Sequence, residues 1–278
     1  MAALLALLAA ALFGLGDFCG GLASRRIGAL RVVASTHIIG LVLILVAAPF
    51  MAEAFSVDAL ALGALAGTFG MVGIGLLYRG LGRGPMAVVA PITAVNSAAI
   101  PVVWGLAFGE HLSPLHLAGI VTGLIAIVLV SRIPGAATAV PRGLVLESML
   151  AGAGFAAFFI VIDAAQDQTA PWPLVGARIA SVLLALALLT FRGGSPLPAR
   201  TEGVAGLVVA TGVFDMAANL AFLLAVNTGL LSLVSVLAAL YPATTVVLAR
   251  VVLNERMRRS QIIGMFGAIA SVALISLG

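Results

Sequence analysis

Residues 84–131 read GPMAVVAPITAVNSAAIPVVWGLAFGEHLSPLHLAGIVTGLIAIVLVS, and residues 229–276 read GLLSLVSVLAALYPATTVVLARVVLNERMRRSQIIGMFGAIASVALIS. Shifted by 145 residues, the two stretches overlay without a gap. Gly84 falls on Gly229, Val89 on Val234, Ala98 on Ala243 and Val102 on Val247. Glu110 falls on Glu255, Gly119 on Gly264 and Ser131 on Ser276. Each stretch holds two apolar runs of about 20 residues, the length that crosses a bilayer core. A unit that occurs twice therefore organises the chain.

Working outward, the first half shows apolar runs near 2–22, 30–50, 58–78, 85–108 and 114–131. The second half shows them near 144–164, 173–191, 202–224, 229–252 and 260–277. The earlier runs align at a different shift: at 141, His37 falls on Arg178 and Phe50 on Phe191. Backbone groups in lipid must be satisfied within the segment, so these runs are expected to be helices. They are too long and continuous for the ten-residue alternation of an outer-membrane barrel. The fold expected is an all-α integral membrane protein of ten transmembrane helices. Its domains are a first repeat at 1–134 and a second at 143–278. The linker between them, SRIPGAATAVPR at 131–142, carries Pro134 and Pro141, which stop the flanking helices.

Composition supports a lipid solvent. Of 278 residues, 63% are apolar and 9% charged, against about 25% charged in ordinary soluble domains. Mean hydropathy is +1.25, and too few polar residues exist to coat a core of this size. The basic pI near 10.5 does not indicate nucleic acid, because the arginines sit at the ends of apolar runs and form no patch. Cys19 is the only cysteine, which excludes an internal disulfide and a Cys-cluster metal site. His37, His111 and His116 form no HExxH. No basic stretch precedes the first apolar run, so a cleaved signal peptide is not expected. Gly63, Gly67, Gly70 and Gly73 recur at helical spacing, as small residues do where helices pack closely.

Each repeat holds five spans, an odd number, so the second copy enters the membrane upside down. Inverted repeats are a common ground plan of secondary transporters, where two halves rock about a central site. The charges give a direction. The odd-numbered loops hold 13 of the 14 arginines, among them Arg25, Arg26, Arg31, Arg79 and Arg83. The even loops hold none and carry Glu53, Asp58, Glu110, Asp163 and Asp167. By the positive-inside rule the odd loops are cytoplasmic and both termini face outward.

Two five-helix repeats, with a Gly-Glu corner after the fourth helix of the first, resemble the EamA type of drug/metabolite transporter. The residues that carry the resemblance are Leu106-Ala-Phe-Gly-Glu110 and Val251-Val-Leu-Asn-Glu255, with Phe13-Gly14 similar to that family's Trp-Gly opening. The resemblance implies a ten-helix bundle around a central cavity, and transport of small metabolites, amino acids or drugs, often outward. Members of that family typically keep both termini in the cytoplasm, the reverse of what the arginines indicate here. Asn254 stands where the family usually has glycine.

Ionisable groups inside a span cost about 3 kcal/mol or more, which makes them the first functional candidates. Asp17 lies in the first run amid Gly14, Gly16, Gly20 and Gly21. It could bind a proton or a cationic group of the substrate, or else pair with Arg25 or Arg26. Asp215 lies mid-span with Thr211 and Asn219 at intervals of four, a polar stripe on one face. It could serve as a substrate or proton site, or else form an interhelical hydrogen bond or an ion pair with Arg178. Asn96 and Tyr241 are repeat mates beside Pro91, Pro101 and Pro242, where freed carbonyls can line a cavity; the two could hydrogen-bond a substrate there or serve packing alone. His37 and Arg178 are possible charge partners for an anionic substrate or a carboxylate; snorkelling to the headgroups is the plainer reading for Arg178. Trp104 reads as an interfacial anchor. Glu110 and Glu255 read as ordering their corners, and Ser113-Pro114 as a helix cap with a first-turn proline.

The function expected is secondary transport of a small organic solute across the inner membrane by alternating access, as an exporter with proton coupling. The alternatives are a lipid translocase, which needs more basic residues in its cavity, and a membrane-embedded enzyme, for which no catalytic constellation is visible. The expected partners are a small-molecule substrate and the lipid bilayer, with a homodimer allowed. No nucleic acid, cofactor or metal is expected.

Overall fold

The computed structural model describes residues 1–51, 54–83, 86–130, 141–165, 171–191, 202–252 and 258–278, without side chains for 86–88 and 249–250. Apolar sequence in lipid leaves the helix as the local solution, and the described residues are helical almost throughout. The helices are α1 (Ala2–Ile27), α2 (Ala29–Met51), α3 (Val57–Arg83), α4 (Met86–Ala107), α5 (Pro114–Val130), α6 (Arg142–Asp163), α7 (Trp172–Phe191), α8 (Ala205–Val226), α9 (Leu231–Ala238), α10 (Tyr241–Val252) and α11 (Arg259–Leu277). The expected Gly84, Glu53, Asp167, Pro134, Asn254 and Glu255 lie outside the described residues.

These elements make ten spans, because α9 and α10 are two pieces of one. The sequence predicted an unbroken ninth span; the structure breaks it at Ala239 and Leu240. Pro242 has no N–H to donate back to the preceding turn. The chain tightens there instead, with Leu240 N–H donating to Leu237 O at 3.2 Å. The first and third spans also run further than their apolar cores, to Ile27 and Arg83. Gly28 ends α1 at φ +82, a conformation few other residues adopt. Ser113 caps α5: His116 N–H donates to Ser113 Oγ at 3.1 Å, and Ser113 N–H donates to His116 Nδ1 at 3.3 Å.

The two halves interlock rather than sit side by side. Helix α1 packs mainly on α8, and its repeat mate α6 packs on α3. Helix α4 packs on α6, and correspondingly α9 and α10 pack on α1. Glycines show the symmetry atom by atom. A Cβ on Gly119 would meet Ile275, and one on its mate Gly264 would meet Val130, the mate of Ile275. The pair α5 and α11 is thus antiparallel and two-fold related. Gly152 lies against Asn96 just as Gly14 lies against Tyr241, the mate of Asn96. Gly67 lies against the carbonyl of Ala177, and Gly212 against that of Thr36. Those positions correspond at shifts of 145 and 141, the two registers read from the sequence.

Outward-facing side chains are apolar, as lipid requires: Val46, Val103, Ile125, Leu183, Ile263 and Phe266 are all exposed. Inside, two apolar clusters form. One holds Ala23, Val33, Leu77, Tyr78, Leu81 and Leu189 at the end carrying the odd loops. The other holds Ala9, Ala98, Phe159, Phe222 and Leu237.

Candidate functional site: a charged cavity between the halves

A cavity of about 60 Å³ lies where the two clusters meet, room for about four to six waters. Both halves line it. The first contributes Asp17 from α1, His37 from α2 and Met71 from α3; the second contributes Arg178 from α7, Asp215 and Asn219 from α8, and Tyr241 from α10.

Small residues bring these groups together. Gly16 lets α1 lie against the backbone of α8 at Thr211 and Asp215, which places Asp17 beside Asp215. Gly40 leaves room for a guanidinium: a Cβ there would sit 3.1 Å from Arg178 Nε. Arg178 is buried and donates from Nη2 to Asp215 Oδ2 at 2.5 Å. Its Nε donates to Met216 Sδ at 3.5 Å. Asn219 Nδ2 donates to the Asp215 backbone carbonyl at 2.7 Å and to Asp215 Oδ1 at 3.3 Å. The ion-pair reading of Asp215 therefore holds, and the snorkelling reading of Arg178 is replaced by burial. Membrane snorkelling needs a path to the headgroups, and the seventh helix instead turns Arg178 onto α8.

Asp17 is placed differently from its partnered alternative. Arg25 and Arg26 are exposed two turns further on, and Arg26 donates to Gly203 O at 3.4 Å. Among the described residues the Asp17 carboxylate has no ion-pair or hydrogen-bond partner, and it faces the cavity. Among the cavity-lining residues two further polar atoms are buried without partners, His37 Nδ1 and the Tyr241 hydroxyl. Unpaired buried polar groups cost about 1–3 kcal/mol each unless something fills the space beside them.

Asn96 and Thr211 do not line the cavity. Asn96 Nδ2 donates to Ile92 O at 2.8 Å, and its side chain lies against Gly152 of α6. Its neighbour Ser97 reaches the cavity instead. Thr211 is fully buried at the contact with α1, its hydroxyl donating to Leu207 O at 2.8 Å. Glu110 ties the halves elsewhere: its carboxylate accepts from the backbone and hydroxyl of Ser232 at the start of α9. Trp104 is partly exposed and stacks on Phe108 at 4.2 Å.

The EamA-like transporter family model matches residues 1–132 and 143–277. The chain belongs to the EamA-like transporter family. It is accordingly a multi-pass membrane protein, and the family's members are transporters. A solved structure described only as the crystal structure of a protein superposes with a TM-score of 0.79. The two are 19% identical over 99% of this chain and 96% of that one, a likeness of fold alone. No curated protein matches.

In this EamA-like chain the charged part of the lining was visible in sequence, but the aromatic part was not. Phe13 of α1 and Phe155, Phe158 and Phe159 of α6 line the cavity, with Met71 and Ile74 of α3. Phe13 and Phe159 lie 6.3 Å apart, Phe158 and Phe159 5.8 Å apart. Tyr78 lies beyond the lining, toward the end nearest the odd loops, its ring packed where Gly20 leaves space. The signal available was the spacing of Phe155, Phe158 and Phe159, one face of α6. An apolar face toward lipid has the same spacing, so sequence alone does not separate the two.

Proposed function

We propose that the chain is a secondary transporter of a small organic solute, with Asp17 as its exchangeable charge. The supporting observation is the charge balance of the cavity. Arg178 neutralises Asp215 through a direct ion pair. Asp17 is a second carboxylate with no cation assigned to it among the described residues. An uncompensated charge in a span is costly, so Asp17 must hold either a proton or a cationic group whenever the cavity is shut. Exchange of one for the other on opposite sides of the membrane couples flux to a proton gradient. Two inverted halves meeting at one site supply the alternation. A lipid translocase for anionic headgroups fits less well, because the cavity's one guanidinium is already engaged.

The cavity is lined by Asp17, Asp215, Arg178, His37 and Tyr241, with Tyr78 packed nearby, so a pH response has several sources to separate. The test is reconstitution in vesicles with a trapped pH dye and a panel of amino acids, nucleosides, amines and drugs. At least one solute should accelerate the collapse of an imposed pH gradient. Asp17→Asn should abolish that acceleration, and Asp17→Glu should retain it. An Asp17→Asn protein that still couples solute to protons would remove Asp17 from the role. Vesicles that move no solute of any class would remove transport itself.

A further inference from the structure

The cavity's chemistry narrows the solute, given the transport reading above. We propose that the solute is a compact organic monocation, an ammonium on an apolar body, seated between the Asp17 carboxylate, the Tyr241 hydroxyl and the rings of Phe13 and Phe159.

Charge, shape and unmet hydrogen bonds agree on this class. With both carboxylates ionised and Arg178 paired, the cavity carries one net negative charge. A monocation cancels it. A neutral solute would leave the proton on Asp17, with no charge to exchange for it; an anion would have to take the guanidinium from Asp215 and leave two bare carboxylates. Desolvated charges of that kind are strongly disfavoured.

The aromatic wall supplies the second argument. Phe13 precedes Asp17 by four residues on α1, so ring and carboxylate share one face. Phe159 lies 6.3 Å from Phe13 and stacks on Phe222 at 4.1 Å, which fixes its ring. Ring faces attract a cation within about 6 Å of their centroids, and more strongly where water is excluded. The same faces offer nothing to a carboxylate or phosphate.

The Tyr241 hydroxyl supplies the third. Tyr241 is 94% buried and lines the cavity, and its hydroxyl has no hydrogen-bond partner among the described residues. It lies near enough to Asp17 to feel that carboxylate's charge. Its oxygen can accept from an ammonium N–H, which a quaternary cation cannot donate. Primary and secondary amines should therefore outrank quaternary ones. The break after α9 leaves Tyr241 at the start of α10, where it lines the cavity.

The probe is benzylamine, with benzamide and benzoate as its neutral and anionic counterparts. Benzylamine should raise the melting temperature of the purified full chain in detergent, and the other two should not. Asp17→Asn should lose that shift, Asp17→Glu should keep it, and Tyr241→Phe should weaken apparent affinity about tenfold, as loss of one charge-assisted hydrogen bond implies. Benzylamine failing to stabilise the cooperatively melting wild-type chain overturns the proposal, as does an equal shift with benzoate or with Asp17→Asn. Counterflow of labelled benzylamine in vesicles separates the two readings. If benzoate exchanges and benzylamine does not, transport stands and the cationic class falls. If benzylamine binds through Asp17 and no solute exchanges, the class stands and the transport reading falls.

Discussion

A guanidinium inside a span is stable only with a partner, and Arg178 has one in Asp215 at 2.5 Å. Removing one member of a buried pair leaves the other charge stranded, at a cost of about 3–5 kcal/mol. Arg178→Gln should therefore lower the melting temperature sharply, with only the Asn219 amide left to hold Asp215. Asp215→Asn should also destabilise, leaving the guanidinium on the Met216 sulfur. The double variant should be less damaged than the two single losses added together. Thermal unfolding of all four proteins closes the cycle. Losses that add to within about 0.5 kcal/mol would mean the two side chains do not interact. At this scale the sequence made the carboxylates conspicuous, because a charge in an apolar run has few innocent explanations. It misplaced Asn96 by a single residue, since one helix step turns a side chain by about 100°. The cavity took Ser97 instead. The stripe of Thr211, Asp215 and Asn219 drifts by about 40° per interval. Its lower end consequently falls into the seam with α1 while its upper members reach the cavity.

Helices in lipid gain no hydrophobic benefit from meeting each other, so close backbone contact has to carry their association. The α3–α7 seam is built that way. Gly63 lies on the Pro173 carbonyl and Gly176 on the Leu60 carbonyl, each so near that a methyl group would overlap the facing backbone. Backbone cannot swing aside as a side-chain tip can. Gly63→Ala and Gly176→Ala should each destabilise by the ~1–3 kcal/mol typical of overpacking. Gly75 on the same α3 meets nothing within 4 Å, and Gly75→Ala should be neutral or slightly stabilising. Melting of the three variants in one detergent decides this; equal behaviour of Gly63→Ala and Gly75→Ala would show that the seam is loose. The glycine spacing along α3 was legible as a packing face, but not its partners. Gly63 and Gly67 face α7, whereas Gly70 and Gly73 face Phe158 and Phe155 of α6. Periodicity gives the face of a helix, and which helix arrives there depends on the whole bundle. The break between α9 and α10 was hidden for a related reason. Proline is tolerated in spans when neighbours satisfy the freed carbonyls. The continuous α4, with Pro91 and Pro101, and the divided ninth span look alike in sequence.

The duplication is the feature that sequence carried furthest, because symmetric contacts need matching small residues at matching registers. Gly119 and Gly264 align in the text of the chain and pack on each other's mates in space. Membrane orientation is a property of the whole molecule in the same sense, set by the sum of its flanks. The described arginines that flank the odd loops gather at one end. There Arg31 pairs with Glu202 at 2.7 Å and Arg79 with Glu147 at 3.0 Å. Both tryptophans lie at the other end, Trp172 edge-on to Phe55 at 4.9 Å and Trp104 stacked on Phe108. Aromatic belts occur at both interfaces and do not discriminate between them. Basic loops do, because positive flanks resist translocation. Pairing with Glu202 and Glu147 does not weaken the inference, since acidic residues contribute little to the rule. We therefore expect the end bearing Arg25, Arg26, Arg79 and Arg83 to face the cytoplasm. Ten spans return the chain to the side where it began, so residues 1 and 278 should both lie outside. Alkaline phosphatase fused after Gly278 should be active and green fluorescent protein fused there dark, with the opposite pattern for reporters placed after Arg83. A bright fluorescent fusion at Gly278 would reverse the assignment. It would also exchange the two faces of the cavity, so that the Tyr78 end would open outward rather than to the cytoplasm.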